Sequence, residues 1–244
     1  MTISFNPEQA LWVEKYRPST IADCILPERI KKEFVGFVES GDFPSMILAG
    51  SAGIGKTTVA RALCQEMGMD HILINASNER GIDVLRTQIS QFASTVSFSD
   101  NPVKVIIMDE FDQATPLLQT AMRAAIEEFT NARFLLTCNY PNKIIDPIHS
   151  RCPSISLAVT KEEKMEMVKE FGKRVFNILK QEGVEHDKAA VGKLILRLFP
   201  DYRKILNTLQ RMSKTGAKLD DEVCGLIDKD QDISKLVKLL SAKD

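Results

Sequence analysis

The chain has 244 residues, which suits one large domain or two modest ones, and its hydrophobic (44%) and charged (27%) fractions are ordinary for a globular protein. A net charge of −1 provides no overall field toward nucleic acid or membranes, so any nucleic-acid contact requires a local basic patch or several copies acting together. Five scattered cysteines without a CxxC pair argue against a zinc site or disulfide framework and indicate a reducing compartment. We expect neither a signal peptide nor a membrane span, because the first ten residues and the rest of the chain lack the long apolar runs that these need.

The first distinctive segment is 11–18, LWVEKYRP, which mixes aromatic, basic and proline residues before any regular element. Its composition alone is compatible with an arm that packs on the surface. A helix is predicted over 30–38, because its apolar residues share one side. These residues are Ile30, Phe34, Phe37 and Val38.

The strongest chemical motif is the glycine-rich loop GSAGIGKT at 50–57, which follows an apolar run at 46–49 and precedes a helical run at 58–67. A strand, a glycine loop and a helix in this order form a phosphate-binding loop, whose backbone N–H groups and helix N-terminus attract the anion. Lys56 is expected to meet the terminal phosphates of a nucleoside triphosphate, and the Thr57 hydroxyl to hold Mg²⁺.

Two further strands are predicted downstream, a buried one at 71–75 and a nearly all-apolar one at 103–108. Between them, apolar residues at helical spacing predict a helix over 83–94. The second strand resembles one that is buried on both faces of a parallel sheet.

That second strand ends in an acidic motif, Asp109-Glu110-Phe111-Asp112. The carboxyl ends of strands in open α/β sheets are where ligands bind. We therefore expect Asp109 to hold Mg²⁺ through water, and Glu110 to orient and polarise the attacking water.

The remaining pattern predicts a helix that starts with Thr115 as N-cap and Pro116 as its first residue, then strands at 133–139 and 155–157. Strands alternate with helices up to this point. The first part of the chain is therefore predicted to be an α/β fold around a mainly parallel sheet.

After Leu157 the sequence contains only helical patterns. A capping box begins a long helix at Thr160, and shorter helices are predicted at 187–198, 201–214 and 220–227. We divide the chain into an α/β nucleotide-binding domain (1–158, with the N-terminal arm), a small all-helical domain that we call the lid (159–230) and a final amphipathic segment (231–244).

Five further motifs complete the pattern. They are WVEKYRP at 12–18, NASNERGID at 75–83, TCNY at 137–140, SRC at 150–152 and DYRK at 201–204. With the glycine loop and the acidic motif, the chain resembles the AAA+ ATPases, a group of P-loop NTPases, and within them the small ATPase subunits of sliding-clamp loaders (the replication factor C small-subunit type). The resemblance spans about the whole chain.

The resemblance implies roles for individual residues. The N-terminal arm walls the adenine pocket, and Asn139 contacts the γ-phosphate region. Arg151 acts in trans as an arginine finger on a neighbouring subunit's nucleotide, and Arg203 reaches from the lid to the phosphates. The implied catalytic set is Glu110, Lys56, Asn139, Arg151 and Arg203. The implied nucleotide contacts are Val13, Tyr16, Arg17, Gly50, Gly53, Gly55, Lys56, Thr57, Thr58 and Arg203.

The resemblance also implies partners. ATP and Mg²⁺ are the cofactors, and copies of the chain assemble with a partner subunit in a pentamer-like spiral that opens a sliding clamp and loads it on primer–template DNA. Arg80, Ile82 and Arg86 would face that DNA without reading its sequence, although Arg86 alone is also compatible with an ordinary solvated helix charge. No membrane is involved, and the implied location is the cytoplasm of a phage host or bacterium, or a eukaryotic nucleus.

Two departures from the family pattern stand out. Phe111 replaces the small residue usual in cellular members and is more like the phage branch. The chain also ends about one helix into the region where relatives have a helical collar, which indicates either a fragment or a different mode of assembly. Three alternatives stay open: another AAA+ motor or helicase loader, a P-loop kinase, and a subunit that binds nucleotide without hydrolysing it.

Overall fold

A computed structural model of the protein describes residues 11–77, 82–97, 101–214 and 219–220, and the side chains of all of these except 82–85. The helix predicted at 220–227 and the amphipathic segment at 231–244 lie outside the described residues. The described residues belong to two compact units, one formed by Pro18–Glu163 and the other by the described parts of Met1–Arg17 and Lys164–Asp244.

The first unit is built on a five-stranded sheet in which every pairing is parallel. The strand order is β2-β3-β4-β1-β5. The strands are β1 (Met46–Ala49), β2 (Met69–Asn75), β3 (Asn101–Asp109), β4 (Ala132–Cys138) and β5 (Ser154–Ser156). The predicted mainly parallel α/β fold is therefore confirmed.

Helices cover both faces of this sheet. They are α2 (Glu28–Ser40), α3 (Lys56–Glu66), α4 (Ile82–Ser94), α5 (Pro116–Glu128) and α6 (Asp146–His149). One hydrophobic core contains Phe34 of α2 and Leu63 of α3, and a second contains Met122 of α5 with Phe134 of β4. Burial on both faces explains why β1, β3 and β4 have nearly continuous apolar runs.

The prediction of a buried strand at 71–75 was wrong about burial. β2 is an edge strand, and of its residues only Met69 and Ile74 are buried, while His71 and Leu73 are exposed. An apolar run of this length does not distinguish a central strand from an edge strand, because the difference lies in which strands pair beside it.

The second unit contains four helices among its described residues. They are α1 (Trp12–Lys15), most of α7 (Lys161–Gln181), α8 (Lys188–Leu198) and α9 (Tyr202–Ser213). The predicted capping box is present, since the Thr160 hydroxyl accepts from Glu163 N at 3.3 Å and Glu163 Oε2 accepts from Thr160 N at 2.9 Å.

Among the described residues, no helix combines the length and apolarity that a membrane-spanning helix needs.

Candidate nucleotide-binding and hydrolysis site

The glycine loop connects β1 to the N-terminus of α3, as predicted. Gly53 and Gly55 have φ angles of 74° and 99°, in the left-handed region that disfavours other residues. A Cβ on Gly50 would lie 3.1 Å from Ile54 Cγ2. The loop therefore needs glycine at these places to bring its backbone N–H groups and the helix N-terminus toward an anion.

Lys56 is held between the loop and the end of β4. Its buried ammonium donates to the carbonyl oxygens of Gly50 and Ser51, both at 2.9 Å, and to Asn139 Oδ1 at 2.8 Å. The structure thus brings together two residues that lie far apart in the chain. Phosphate oxygens are acceptors of the same kind, so this ammonium can also bind a terminal phosphate.

A second polar group surrounds Asp109 at the end of β3. Asp109 Oδ1 accepts from the Thr57 hydroxyl at 2.8 Å and from the Thr137 hydroxyl at 2.5 Å. Thr137 in turn accepts from Glu110 N at 3.1 Å. Because Thr137 is 1% exposed, its hydroxyl is a fixed connection between β4 and the acidic motif.

Glu110 has a φ of 55°, and it is the one non-glycine residue with a positive φ among the described residues. A glutamate in this left-handed conformation costs about 1–3 kcal/mol, which the surrounding contacts must offset. The Glu110 side chain is exposed to solvent, and its role toward an attacking water stays a prediction.

The oxygens of Thr57 and Asp109 fit the predicted Mg²⁺ site. Hydroxyl and carboxylate oxygens are the ligands that Mg²⁺ prefers, and it usually retains waters and phosphate oxygens as its other ligands. No cluster of three or more His, Cys, Asp or Glu side chains suited to a metal occurs in the described part of the chain. A site with few protein ligands is what a nucleotide-bound Mg²⁺ requires, and that role for Thr57 and Asp109 stays a prediction.

Arg151 lies two residues after the end of the short helix α6. Its Nε donates to Glu127 Oε1 at 2.7 Å, and its Nη1 donates to Pro147 O at 2.7 Å. Its side chain is 27% exposed. The residue is thus accessible to a neighbouring copy, although its role in trans stays a prediction.

The N-terminal arm contains a short helix, α1, that composition did not predict. Trp12 is 4% exposed, and its backbone N–H donates to Gln210 Oε1 of α9 at 3.1 Å. Glu182 Oε1 accepts from Lys15 Nζ and from the Tyr16 hydroxyl, both at 2.6 Å. Burial and the hydrogen bond to Glu182 raise the Tyr16 pKa. The arm is therefore anchored to the helices of its own unit.

The other predicted contact residues of this second unit are partly or fully exposed. Val13 and Arg17 are half-buried, and Arg17 forms an ion pair with Glu14 at 2.5 Å. Arg203 is an exposed residue in the first turn of α9, after the N-cap Asp201. Contacts of these residues with adenine or phosphate stay predictions.

Of the predicted DNA-facing residues, Arg80 lies outside the described residues and so does the side chain of Ile82. Arg86 is exposed on α4 and lies 4.0 Å from Glu128. Such an exposed pair contributes little to stability and leaves Arg86 accessible.

No role was predicted for two buried polar residues, Thr137 beside the acidic motif and Gln119 of α5. Thr137 lies within the TCNY motif, and a hydroxyl in a mainly apolar strand indicates a specific partner. Gln119, 3% exposed, donates to Ala114 O at 3.2 Å and Lys143 O at 3.1 Å and accepts from Ile145 N at 2.9 Å. The available clue was a polar residue beside the core positions Leu118 and Met122 of α5.

Comparisons with known proteins extend this description. Residues 46–158 match the family model described as "ATPase family associated with various cellular activities (AAA)", and residues 163–224 match "Sliding-clamp-loader large subunit, AAA+ ATPase lid domain". The solved structure of Thermotoga maritima RuvB (P216G mutant) has a TM-score of 0.67 at 16% identity, covering 85% of this chain and 71% of that one. At that identity the likeness shows the fold alone.

Two curated relatives are considerably more similar in sequence. "Replication factor C small subunit" of Methanococcus maripaludis is 38% identical, over 88% of this chain and 67% of that protein. "Sliding-clamp-loader large subunit" of Enterobacteria phage T4 is 37% identical, over 99% of this chain and 77% of that protein. The chain therefore belongs to the AAA+ ATPases and, within them, to the family of sliding-clamp-loader subunits.

Proposed function

We propose that this chain is an ATPase subunit that loads a sliding clamp on primer–template DNA, with ATP binding used to open the clamp and hydrolysis to release it. The observation that carries the proposal is the convergence of two polar groups at one edge of the sheet. Lys56 meets Asn139 at 2.8 Å, and Thr57 meets Asp109 at 2.8 Å. The names of the two relatives supply the clamp-loading context.

In this mechanism each residue has a separate task. The glycine loop and Lys56 bind the β- and γ-phosphates, and Asn139 orients the γ-phosphate beside the lysine. Thr57 and Asp109 would hold Mg²⁺, which supplies charge neutralisation when bound. Glu110 accepts a hydrogen bond from the attacking water and aligns it with the γ-phosphorus.

We further propose that Arg151 completes the site of a neighbouring copy. An arginine finger accelerates related nucleotide hydrolases by roughly 10³–10⁵. An isolated chain should therefore bind ATP but hydrolyse it slowly, and assembly should be required for turnover. Further contacts with the nucleotide are proposed for Val13, Tyr16, Arg17 and Arg203.

DNA contact is proposed for the loop and the start of the helix after β2, through Arg80, Ile82 and Arg86. Arginines that contact phosphates bind without sequence preference, and their affinity falls steeply with salt. The partners in the assembly are further copies, a partner subunit, the clamp and the DNA.

The experiment that tests the function measures ATP turnover of the assembled protein in four mixtures, with and without the cognate clamp and with and without primer–template DNA. We expect the clamp and the DNA together to give the highest rate. Equal rates in all four mixtures would overturn the clamp-loading proposal. The Glu110→Gln variant should bind ATP with near wild-type affinity and lose turnover.

The trans role of Arg151 is tested by mixing two inactive variants. Arg151→Ala subunits retain Glu110, and Glu110→Gln subunits retain Arg151, so a mixed interface can contain one intact site. Activity should return in the mixture. A mixture as inactive as its components would contradict the trans assignment.

A further inference from the structure

The guanidinium of Arg151 is held on both edges by its own chain. On one edge, Nε and Nη2 both donate to Glu127 Oε1, the first at 2.7 Å. On the other edge, Nη1 donates to Pro147 O at 2.7 Å and to Ser150 Oγ at 3.0 Å. Four of the five N–H donors of an arginine thus have partners here.

The backbone beneath this side chain is also fixed. Ile148 and Cys152 are 0% exposed, and the Arg151 N–H donates to Ile148 O at 3.0 Å. The backbone of the loop is therefore anchored in the core. The guanidinium edge formed by Nε and Nη2 has no comparable support from its own loop, because its partner comes from a different element, the last turn of α5.

From these contacts we infer that Glu127 is a positioning residue for Arg151, which sets the orientation of the guanidinium before a neighbouring nucleotide meets it. This inference rests on the proposed role of Arg151 as a finger in trans. An arginine side chain has several rotatable bonds and loses considerable entropy when it is ordered. Glu127 and Pro147 already order the side chain in the folded protein. The entropy loss of ordering it therefore does not add to the activation free energy of hydrolysis.

An alternative explanation is that the pair only stabilises the fold. The Glu127 side chain is 52% exposed, and ion pairs that are accessible to water contribute little to folding stability. We therefore expect removal of the Glu127 charge to change Tm very little and turnover considerably. This separation distinguishes a positioning role from a structural one.

The first test compares the steady-state kinetics of Glu127→Gln with those of wild type in the full assembly with clamp and DNA. The matched control is Glu39→Gln, an exposed glutamate on α2. We expect kcat to fall roughly ten- to a hundredfold in Glu127→Gln, with KM for ATP and Tm close to wild type. An unchanged kcat would overturn the inference, and so would an increased kcat, because that would show that Glu127 holds the arginine away from its substrate.

A double substitution asks whether Glu127 acts through Arg151. If it does, Glu127→Gln should cause no further loss in an Arg151→Ala background. A further loss of the same factor would show that Glu127 acts independently and would overturn the inference. If Arg151→Ala alone leaves kcat unchanged, the finger assignment itself fails. If Arg151→Ala is inactive and Glu127→Gln is normal, only the role of Glu127 fails.

Mixed assemblies locate the effect on one side of the interface. In mixtures of Arg151→Ala with Glu110→Gln subunits, the Glu110→Gln subunit donates the finger. Adding Glu127→Gln to that donor should lower the restored activity, whereas adding it to the Arg151→Ala subunit should not. The opposite pattern, or equal effects on both sides, would refute a role through the finger.

Discussion

Thr137→Val isolates a single hydroxyl in the interior of the site. The two side chains have nearly the same shape, so the substitution removes the hydrogen bonds and little packing. Two bonds are lost, the donation to Asp109 Oδ1 at 2.5 Å and the acceptance from Glu110 N at 3.1 Å. Thr137 is 1% exposed, so no water can readily replace its hydroxyl.

The expected loss of stability follows from these two bonds. A hydrogen bond to a charged group contributes about 1.5–3 kcal/mol and a neutral one about 0.5–1.5 kcal/mol. Asp109 is only partly buried and keeps its bond to Thr57, so water recovers part of the first contribution. We therefore expect a net loss of roughly 2 kcal/mol, which corresponds to a decrease in Tm of roughly 4–8 °C for a chain of this size.

The loss of activity should exceed the loss of stability. The Thr137 hydroxyl accepts from the backbone N–H of Glu110, whose φ of 55° is unfavourable for glutamate. Without that bond the peptide can relax, and the carboxylate that we propose aligns the water moves. We expect kcat to fall roughly tenfold or more, with ATP affinity almost unchanged.

Thermal unfolding and steady-state ATPase assays measure both effects. Thr120→Val is the matched control, because Thr120 is exposed on α5 and its hydroxyl only donates to Pro116 O of its own helix at 2.9 Å. Thr137→Ser, which keeps the hydroxyl, should recover most of the kcat. If Thr137→Val has the same Tm and kcat as Thr120→Val, the proposed connection between β4 and the acidic motif is refuted.

Three further outcomes are expected. Lys56→Ala should lower the affinity for ATP roughly tenfold or more, because it removes a positive charge that can donate hydrogen bonds to phosphate oxygens. Calorimetric titration with ATP measures this affinity, and a wild-type value would contradict the prediction. Gln119→Leu should lower the free energy of unfolding by roughly 2–4 kcal/mol, because three backbone groups lose their hydrogen-bond partner. Urea denaturation should then show a lower midpoint with an unchanged m-value, and an unchanged midpoint would refute this prediction. The hydrogen bond from Lys15 holds the Glu182 pKa below its usual value. The pairing therefore stabilises the arm fully at pH values above the ordinary carboxyl pKa of about 4.3. This stabilisation is lost as the pH falls through the lowered pKa of Glu182. Trp12, the sole tryptophan, should shift its emission to the red in that acidic range, and the same transition in Glu182→Gln would refute the assignment.

The main strands could be predicted from the sequence because each is a continuous apolar run followed by polar residues. The predicted strand at 46–49 coincides with β1, and the one at 103–108 lies within β3. The positions of the glycine loop and the acidic motif at the ends of these two strands were also predictable, since each motif directly follows its strand in the sequence. Local patterns are sufficient when the residues that act together are neighbours in the chain.

Contacts between strands could not be predicted in the same way. Thr137 reaches Asp109 because β3 and β4 are adjacent and their register pairs Met108 with Leu136, which places the next residues side by side. Neither the adjacency nor the register is contained in the pattern of either strand alone. The edge position of β2 was missed for the same reason, since it depends on strand order.

The central place of β4 links the two polar groups of the site. β4 lies between β3 and β1 in the sheet. Thr137, at its end, contacts the acidic motif, and Asn139, two residues later, contacts Lys56 of the glycine loop. Asn139 directly follows the last residue of β4, so both contacts depend on the position of the C-terminal end of this strand. If Glu110 and Asn139 have the roles proposed above, a small shift of β4 would change the alignment of the water and the binding of the γ-phosphate together, and would thereby couple nucleotide recognition to hydrolysis.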